Sequence, residues 1–377
     1  MFVEPLEALG LLAYHRAMLR SGPRLEGYRQ AIEETVRPGD VVVDIGTGTG
    51  ILALFAARAG AKKVYAIESS PSLDLAREIC AASAYGDRVE LIRGASTHLD
   101  IPPVDVIVTD TFGGFGIDEG LLGGLIDART RWLQPGGAII PSAVELSVFP
   151  VECPDIYDRL FFPQDVEGLS VAMLNKLVVN SLYRMRLDDA VLLAPPQTLA
   201  KFNMYEVVDP HTQGRATFRP ERHGTMHGVG GWFTTELKPG VSLTTAMPGS
   251  SLRWNHAFFP LPQPREVHPG NVIELDIRAA SNGTFFRWSV TVDGEAWANQ
   301  TTLDAWPIDP AQLRALAPGY QPGLTAEGEV MKSALSLLDG TRSSSEIQAR
   351  LLASWPDFFR TEEQAAAFVR DLVRRYG

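Results

Sequence analysis

The sequence has little of three features that mark large classes of protein. It contains only two cysteines among 377 residues, Cys80 and Cys153, which excludes a disulfide framework and favours a reducing compartment. No apolar run reaches the ~18 residues that a membrane-spanning helix needs. Positive charge is in deficit, and the formal net charge of -11 argues against general binding to nucleic acid or anionic membranes.

The remaining composition is typical of a globular protein with more than one domain. Hydrophobic residues make up 45% of the chain and charged residues 21%, which is enough to bury an ordinary core. A chain of this length predicts two or three domains. The segment MFVEPLEALGLLAY carries Glu4 and Glu7 and has no basic leader, so we expect no signal peptide and a cytoplasmic location.

The spacing of apolar residues divides the chain into three parts. Over residues 1–143, apolar runs such as DVVVDIG, VYAIES and VDVIVTD alternate with helical patterns, which predicts an α/β, Rossmann-like domain with a parallel sheet. Residues 144–303 change to period two, which predicts an antiparallel β-barrel-like domain, interrupted near 154–190 by a helical pattern. Residues 304–377 predict a small helical domain.

Two stretches refine the later domains. The prolines of FFPLPQPREVHPG, residues 258–270, are interpreted as a rigid connection next to a substrate loop. Near the C-terminus, Ser343 with Glu346 predicts a helix start through a capping box. The apolar residues between Phe368 and Tyr376 predict a buried stripe on the last helix.

A glycine-rich turn follows the first apolar run, in VVVDIGTGTGILALF. Asp44 ends the predicted strand, and Gly46, Gly48 and Gly50 follow at every second position, where a backbone without Cβ atoms can approach a ligand. Glu68 closes the second strand, where its carboxylate can accept hydrogen bonds from both ribose hydroxyls. Because dinucleotide folds use G-x-G-x-x-G, the spacing D-x-G-x-G-x-G favours S-adenosylmethionine.

This loop and its surroundings resemble the class I methyltransferases, and within them the protein arginine methyltransferases. The segment YHRAMLRSGPRLEGYRQAI is similar to the family's segment ahead of the glycine loop, and LQPGGAIIPSAVEL to the strand that leads into its β-barrel. The resemblance implies S-adenosyl-L-methionine as cofactor. It also implies a head-to-tail homodimer, since residues 154–190 lie where the family has a dimerisation arm.

The resemblance further implies which residues contact the cofactor. Arg24 would bind its carboxylate in a bidentate contact, and Ala95 and Ser96, within GDRVELIRGAS, would lie beside the adenine. Thr97 stands where the family has a glutamate. The full set implied in this way is His15, Met18, Arg24, Asp44, Gly46, Thr47, Gly48, Ile51, Leu52, Glu68, Ser69, Ala95 and Ser96.

The acceptor side of the sequence departs from the family. The stretch TDTFGGFGIDEG places Asp110 and Glu119 where the family has two glutamates that hold a guanidinium, and aspartate is one methylene shorter. Glu119 is the candidate to orient an acceptor or take its proton. Asp110 is either catalytic or a cofactor contact. Asp118 is expected to be a solvated loop charge.

A second departure lies at LRW, residues 252–254, which replaces the family's threonine–histidine–tryptophan motif. Arg253 puts a fixed positive charge where a cationic arginine would approach, and this charge suits a carboxylate acceptor. Arg253 and Trp254 are therefore the candidate substrate-binding residues. His223 and His227 have no further ligands near them in sequence, so no metal site is expected.

The C-terminal segment, about residues 325–377, resembles the helical half of small PqqD-like domains, which bind leader segments of precursor peptides. A plain helical cap is the alternative interpretation. The sequence thus predicts a methyltransferase of peptides or proteins, acting at a nitrogen or a carboxylate. The specific hypothesis is a ribosomally made precursor peptide in natural-product biosynthesis.

Two alternatives to a peptide methyltransferase stay open. The acceptor is either a peptide or a small metabolite such as a free amino acid. A catalytically weak, cofactor-binding scaffold that serves as a partner protein is an alternative of another class. Neither nucleic acid nor a membrane is expected as a partner.

Overall fold

The chain forms two compact units, which are described one at a time. The computed structural model describes residues 5–247, 252, 254–280, 283–307, 314–315 and 317–376. Residues 5–307 belong to one unit, and the chain from residue 308 onward belongs to the other. The division lies four residues beyond the boundary predicted at 303/304.

A parallel sheet opens the first unit. Its strands are β1 (Val41–Ile45), β2 (Lys63–Glu68), β3 (Val89–Arg93), β4 (Val104–Thr109) and β5 (Leu133–Ile140), in the order β3-β2-β1-β4-β5. The helices of this part are α1 (Pro5–Leu19), α2 (Gly22–Thr35), α3 (Ile51–Ala59), α4 (Ser72–Ala81) and α5 (Leu121–Trp132). The predicted Rossmann-like α/β sheet is confirmed.

Burial on both faces explains why these strands form continuous apolar runs. On one face Val42 packs in a cluster with residues of α2 and α3. On the other face Val43 and Ile107 pack with Trp132 of α5. The loops at the carboxyl ends of the strands therefore stand on a rigid base.

Two antiparallel sheets follow the parallel sheet. The strands are β6 (Ala143–Glu152), β7 (Asp165–Val166), β8 (Leu169–Ser170), β9 (Tyr183–Met185), β10 (Val191–Leu192), β11 (Gln197–Asn203), β12 (Thr212–Phe218), β13 (Gly224–Lys238), β14 (Val241–Thr244), β15 (His256–Val267), β16 (Ile273–Ala280), β17 (Phe285–Val292) and β18 (Glu295–Thr301). The larger sheet runs β10-β6-β13-β15-β9, with β11 paired to β6 and β14 to β13. The smaller runs β12-β16-β17-β18.

These two sheets share one apolar core, as predicted for an antiparallel domain. In β12 and β16 buried and exposed residues alternate, because one face of each strand is turned to the core. Phe259 of the larger sheet meets Trp288 of the smaller with ring centroids 5.2 Å apart. The core continues to the parallel sheet through Val144 and Leu146 of β6, so the parallel and antiparallel parts of this unit share one core.

The stretch 154–190 is not helical throughout, which corrects the sequence prediction. It consists of the short helices α6 (Pro154–Leu160) and α7 (Leu174–Val178), with the paired strands β7 and β8 between them. A tight turn at Glu167 and Gly168, both at positive φ, makes this hairpin. The apolar residues that produced the helical pattern are shared between the two kinds of structure.

The proline-rich stretch was interpreted as a connection, and this interpretation is wrong. Residues 256–267 form strand β15, which pairs with β13. Pro262 and Pro264 lie where the register shifts, between the pairs Gly228↔Pro260 and Met226↔Arg265. Because the ladder is interrupted there, these prolines are not required to donate a hydrogen bond.

The second unit is helical over the residues described. Its helices are α8 (Ala326–Leu335), α9 (Ser344–Ser354) and α10 (Glu362–Tyr376). They enclose a core of their own that includes Val330, Leu351 and Leu372. The capping box of Ser343 and Glu346 is present, but Tyr376 is 57% exposed and so does not belong to the buried stripe. Nowhere in the described chain is a helix both long and apolar enough to span a membrane.

The separate core of this unit yields a test. Leu351→Ala removes a fully buried side chain of α9 and should destabilise the helical unit by about 2–5 kcal/mol. Hydrogen exchange followed by mass spectrometry on the full chain should show faster exchange in residues 326–376 and unchanged exchange in β1 and β4. Leu335→Ala, which alters an exposed leucine of α8, is the control. Equal effects of the two substitutions would contradict the described core.

Candidate functional site

The glycine loop after β1 packs too closely for side chains. Gly46, Gly48 and Gly50 have φ values of 71, 55 and 80°, a region that disfavours other residues. A Cβ on Gly46 would lie 2.5 Å from the Thr111 side chain, and one on Gly48 would lie 3.0 Å from His15 Cε1. The loop is therefore a close backbone cradle between α1 and the end of β4.

Glu68 fixes the far side of this cradle. Its Oε2 accepts a hydrogen bond from Gly48 N at 3.0 Å, and its Oε1 accepts one from Ser70 N at 2.8 Å. The carboxylate thus stands at the carboxyl end of β2 in a fixed orientation. Each carboxylate oxygen keeps acceptor capacity for a donor such as a ribose hydroxyl.

Asp44 lies beneath the loop. Its Oδ2 accepts from Thr47 Oγ1 at 2.5 Å and from Ala53 N at 3.1 Å, while Oδ1 is buried without a partner. Burial raises the pKa of Asp44 to about 7, against the opposing effect of these two hydrogen bonds. Asp44 therefore anchors the glycine loop from below. It does not line either of the two cavities around Glu68.

Two cavities meet at Glu68. The loop cavity, about 380 Å³, lies between α1 and the glycine loop, and the strand-end cavity, about 240 Å³, lies over the ends of β2, β3 and β4. Of the residues that the resemblance implied for the cofactor, all except Asp44 line one or both: His15, Met18, Arg24, Gly46, Thr47, Gly48, Ile51, Leu52, Glu68, Ser69, Ala95 and Ser96. The residues implied for the cofactor from the sequence, apart from Asp44, therefore lie close together around these two cavities.

A third cavity opens beside the loop cavity and has a volume of about 140 Å³; we name it the acceptor cleft after the role that we propose for it. It is lined by Met18 and Arg24 from the helical segment, by Asp110 and Glu119, and by Trp254. Glu119 lines all three cavities. Glu119 therefore lies at the boundary between the cleft and the loop cavity, together with Tyr14, Met18, Arg24 and Asp110, which also line both.

Arg24 lies at the shared wall of the loop cavity and the cleft. Its Nε donates to Asp110 Oδ2 at 2.8 Å, and its guanidinium stacks over the Trp254 ring, 3.8 Å from the centroid. Trp254 in turn donates from Nε1 to Gly113 O at 2.8 Å. Burial raises the pKa of Asp110, and the nearby charge of Arg24 opposes this rise.

Glu119 is paired with an arginine that the sequence reasoning missed. Arg184, on β9, donates from Nη1 to Glu119 Oε1 at 2.7 Å and from Nε to Asp118 Oδ2 at 2.6 Å. Asp118 also accepts from Gly114 N and Phe115 N, and its side chain is only 3% exposed. The expectation of a solvated Asp118 is therefore wrong, because the loop folds around its carboxylate.

The remaining comparisons with the sequence predictions concern Tyr14, Arg253 and a metal site. Tyr14, within the segment YHRAML, is not among the predicted site residues, yet it lines both the loop cavity and the cleft. Arg253 lies outside the described residues. Within the described ranges no group of three or more His, Cys, Asp or Glu side chains is placed to hold a metal ion.

Fold and site together define a class I methyltransferase core joined to an antiparallel domain, and the comparisons with known proteins agree. The family model for ribosomal protein L11 methyltransferase (PrmA) matches residues 28–144. The model for the arginine methyltransferase oligomerization subdomain matches residues 143–291. Neither model extends into the C-terminal helices.

Named relatives are similar over much of the chain. Protein arginine N-methyltransferase 6 of Xenopus laevis is 30% identical over 287 residues, which are 71% of this chain and 83% of that protein. Probable protein arginine N-methyltransferase 6 of Arabidopsis thaliana is 33% identical over 235 residues, 59% of this chain. The chain belongs to the protein arginine methyltransferase family. It spans only 54% of the Arabidopsis relative and 61% of a rice relative, probable protein arginine N-methyltransferase 6.2.

Solved structures show the same fold at lower identity. The Trypanosoma brucei PRMT1 enzyme-prozyme heterotetrameric complex with AdoHcy aligns with a TM-score of 0.66 and 23% identity, over 76% of this chain and 96% of that chain. Arabidopsis thaliana protein arginine methyltransferase 10 aligns with a TM-score of 0.63 and 22% identity, over 77% and 96%. These likenesses support the fold alone.

The burial of Asp44 generates a prediction about pH. Its folded-state pKa of about 7 lies above the ordinary aspartate value, so the folded state binds a proton that the unfolded chain releases. Stability from this group is complete below about pH 4 and falls as pH rises toward 7. The melting temperature of Asp44→Asn relative to wild type should therefore increase over this range. The exposed Asp87→Asn is the control, and a flat difference for Asp44→Asn would contradict the burial.

Proposed function

We propose that this chain is an S-adenosyl-L-methionine-dependent methyltransferase that modifies a protein or peptide. The observation that carries the proposal is the meeting of the loop cavity, the strand-end cavity and the acceptor cleft at Glu119, with Glu68 held between the first two. The names of the relatives, protein arginine N-methyltransferases, support the same reaction class.

The residues present fit the cofactor. Gly46 and Gly48 let the loop backbone pack closely against Thr111 and His15. Gly48 N is held by Glu68, whose carboxylate would also hold the ribose hydroxyls. Ala95 and Ser96 line the strand-end cavity, which suits an adenine ring. His15, Met18 and Arg24 line the loop cavity, where Arg24 would meet the carboxylate. The bound cofactor supplies a methyl group on a sulfonium.

The chain's own residues would align the acceptor and, where it is a nitrogen, remove its proton. An acceptor atom with a free lone pair would enter from the cleft and be aligned there with the methyl group; a nitrogen acceptor would lose a proton on methylation, whereas a carboxylate would have none to lose. Glu119 borders both the cleft and the loop cavity, so its carboxylate would orient the acceptor or take that proton. Asp110, held by Arg24, would act through Arg24 on the cofactor side.

The acceptor is proposed to be a peptide or protein, modified at a nitrogen or a carboxylate. Arg253 and Trp254 remain the proposed substrate contacts, since Trp254 lines the cleft. A catalytically weak scaffold is the second candidate, favoured by the pairing of both cleft carboxylates with arginines. A small-metabolite acceptor and a precursor-peptide acceptor remain hypotheses from the sequence, as does peptide binding by the C-terminal helices.

A homodimer is proposed as the assembly. Large apolar side chains of the 154–190 stretch are exposed, with Leu169 at 74% and Phe162 and Met173 at about half. Leu169 lies on the hairpin, and Phe162 and Met173 lie in the loops on either side of it, so their exposure fits a surface that is covered by a second copy. The match to an oligomerization subdomain over residues 143–291 supports the same proposal.

The position of Glu68 generates a prediction about cofactor binding. Glu68→Ala removes a charged hydrogen-bond acceptor from the ribose, so the Kd of S-adenosylhomocysteine should rise by about tenfold to a hundredfold. Calorimetry measures this change. Glu90→Ala, on the neighbouring strand β3 and paired with Lys63, should bind like wild type. An unchanged affinity in Glu68→Ala would refute the ribose placement.

The position of Glu119 generates a prediction about turnover. Glu119→Gln keeps the size of the side chain but cannot take a proton, so kcat should fall about a hundredfold while cofactor affinity stays nearly constant. Transfer of tritiated methyl groups to a peptide mixture measures this, with Glu145→Gln on β6 as the control. Label that survives mild base indicates a nitrogen acceptor, and label released as methanol indicates a carboxylate. Full activity of Glu119→Gln would make Glu119 structural, and a wild-type protein that binds cofactor without turnover would be the scaffold.

A further inference from the structure

Arg184 brings a guanidinium of the chain itself to the carboxylate of the acceptor cleft. All three of its side-chain nitrogens are engaged: Nη1 with Glu119 Oε1 at 2.7 Å, Nε with Asp118 Oδ2 at 2.6 Å, and Nη2 with Asp118 O at 2.9 Å. Its backbone is fixed by the register of β9 on β15, opposite Ala257. The guanidinium therefore occupies a defined position at Glu119.

The loop between β4 and α5 is shaped for this arginine. A Cβ on Gly114 would lie 3.0 Å from Arg184 Cγ, and a Cβ on Gly113 would overlap the carboxylate of Asp118. Gly113 also has a φ of 68°, which a larger residue rarely adopts. Asp118 is held in turn by Gly114 N and Phe115 N. The two glycines and the backbone N–H groups of Gly114 and Phe115 thus hold the Asp118 carboxylate in place for its ion pair with Arg184.

Both carboxylates among the described residues that line the cleft are already paired with a cation of the chain, although Asp110 keeps its Oδ1 outside the pair. The acidic ones there are Asp110 and Glu119, and each is paired with an arginine of the chain. Burial alone would lower the pKa of Arg184, but Asp118 and Glu119 together raise it, so the guanidinium stays charged. An incoming guanidinium meets a carboxylate that already has a cation.

We propose that Arg184 is a specificity-determining residue that competes with an acceptor guanidinium for Glu119. The inference rests on the proposed acceptor role of the cleft. An acceptor arginine has to displace Nη1 of Arg184 from Glu119, whereas an acceptor that presents an uncharged nitrogen or a carboxylate does not. The cleft therefore disfavours cationic arginine acceptors relative to uncharged or acidic ones.

Displacement is possible without unfolding the loop. The Glu119 side chain is 29% exposed, so its carboxylate can turn away from Arg184 Nη1 toward an acceptor. The contacts of Arg184 with Asp118 can persist while Glu119 is released. The energetic cost to an acceptor arginine is then that of one charged hydrogen bond, which corresponds to about a tenfold loss of affinity.

The test measures peptide binding by calorimetry, with and without S-adenosylhomocysteine. The probes are a short arginine peptide and the same peptide with citrulline, an uncharged isostere, in place of arginine. Arg184→Gln should bind the arginine peptide about tenfold more tightly than wild type and the citrulline peptide equally. Arg215→Gln, which breaks an exposed pair with Asp276 on the smaller sheet, should leave both affinities unchanged.

A double-mutant cycle with Glu119→Gln locates the effect. If Arg184 acts through Glu119, then Arg184→Gln should gain affinity in the wild-type background and nothing in the Glu119→Gln background. Equal or weaker binding of the arginine peptide by a folded Arg184→Gln protein would overturn the proposal. Should that variant fail to fold, Arg184→Lys, which cannot hold both carboxylates in a fork, should show a smaller gain, and no gain would overturn the proposal.

Binding separates this proposal from the proposed function. Tighter arginine binding in Arg184→Gln without any methyl transfer would support the competition and refute the methyltransferase. Methyl transfer by wild type, together with unchanged arginine binding in Arg184→Gln, would support the methyltransferase and refute the competition.

Discussion

One guanidinium, that of Arg24, joins the parts of the molecule on which the site depends. It comes from α2, pairs with Asp110 at the end of β4, and stacks on Trp254, which precedes β15. A stacked and charge-paired arginine of this kind is both oriented and largely removed from water. Trp254 belongs to the antiparallel domain, whereas Arg24 and Asp110 belong to the part with the parallel sheet. Both parts therefore contribute to the wall between the loop cavity and the acceptor cleft. The rest of the site is arranged on either side of that wall.

The carboxylates around the site are held in three different ways, and each way suits a different task. Asp44 is buried beneath the glycine loop with one oxygen unpartnered, which raises its pKa to about 7 and makes it an anchor of the loop. Glu68 accepts two backbone N–H groups and remains open to the cavities. Glu119 faces the cleft and is paired with Arg184. Glu68 thus keeps acceptor capacity for neutral hydroxyl donors, the role proposed for it, while the charge of Glu119 is already opposed by Arg184.

Local patterns predicted the grouping of the residues around Glu68, whereas long-range pairing hid the partner of Glu119. The turn from Asp44 to Gly50 and the acid at the end of the next strand are fixed by sequence spacing, so their grouping was foreseen. Arg184 lies 65 positions from Glu119 and reaches it only through the pairing of β9 with β15, which no local pattern indicates. The fold class followed from the alternation of apolar runs. Strand β15 did not, because its prolines lie at a register shift that only the partner strand reveals.

The most direct test of the account is a crystal structure of the protein with S-adenosylhomocysteine. The account predicts ribose hydroxyls on the Glu68 carboxylate, adenine in the strand-end cavity beside Ala95 and Ser96, and the sulfur directed toward Glu119 and the acceptor cleft. A ligand bound away from Glu68, or a sulfur directed away from the cleft, would contradict it. In either of those cases the meeting of the three cavities at Glu119 would not be the place of methyl transfer.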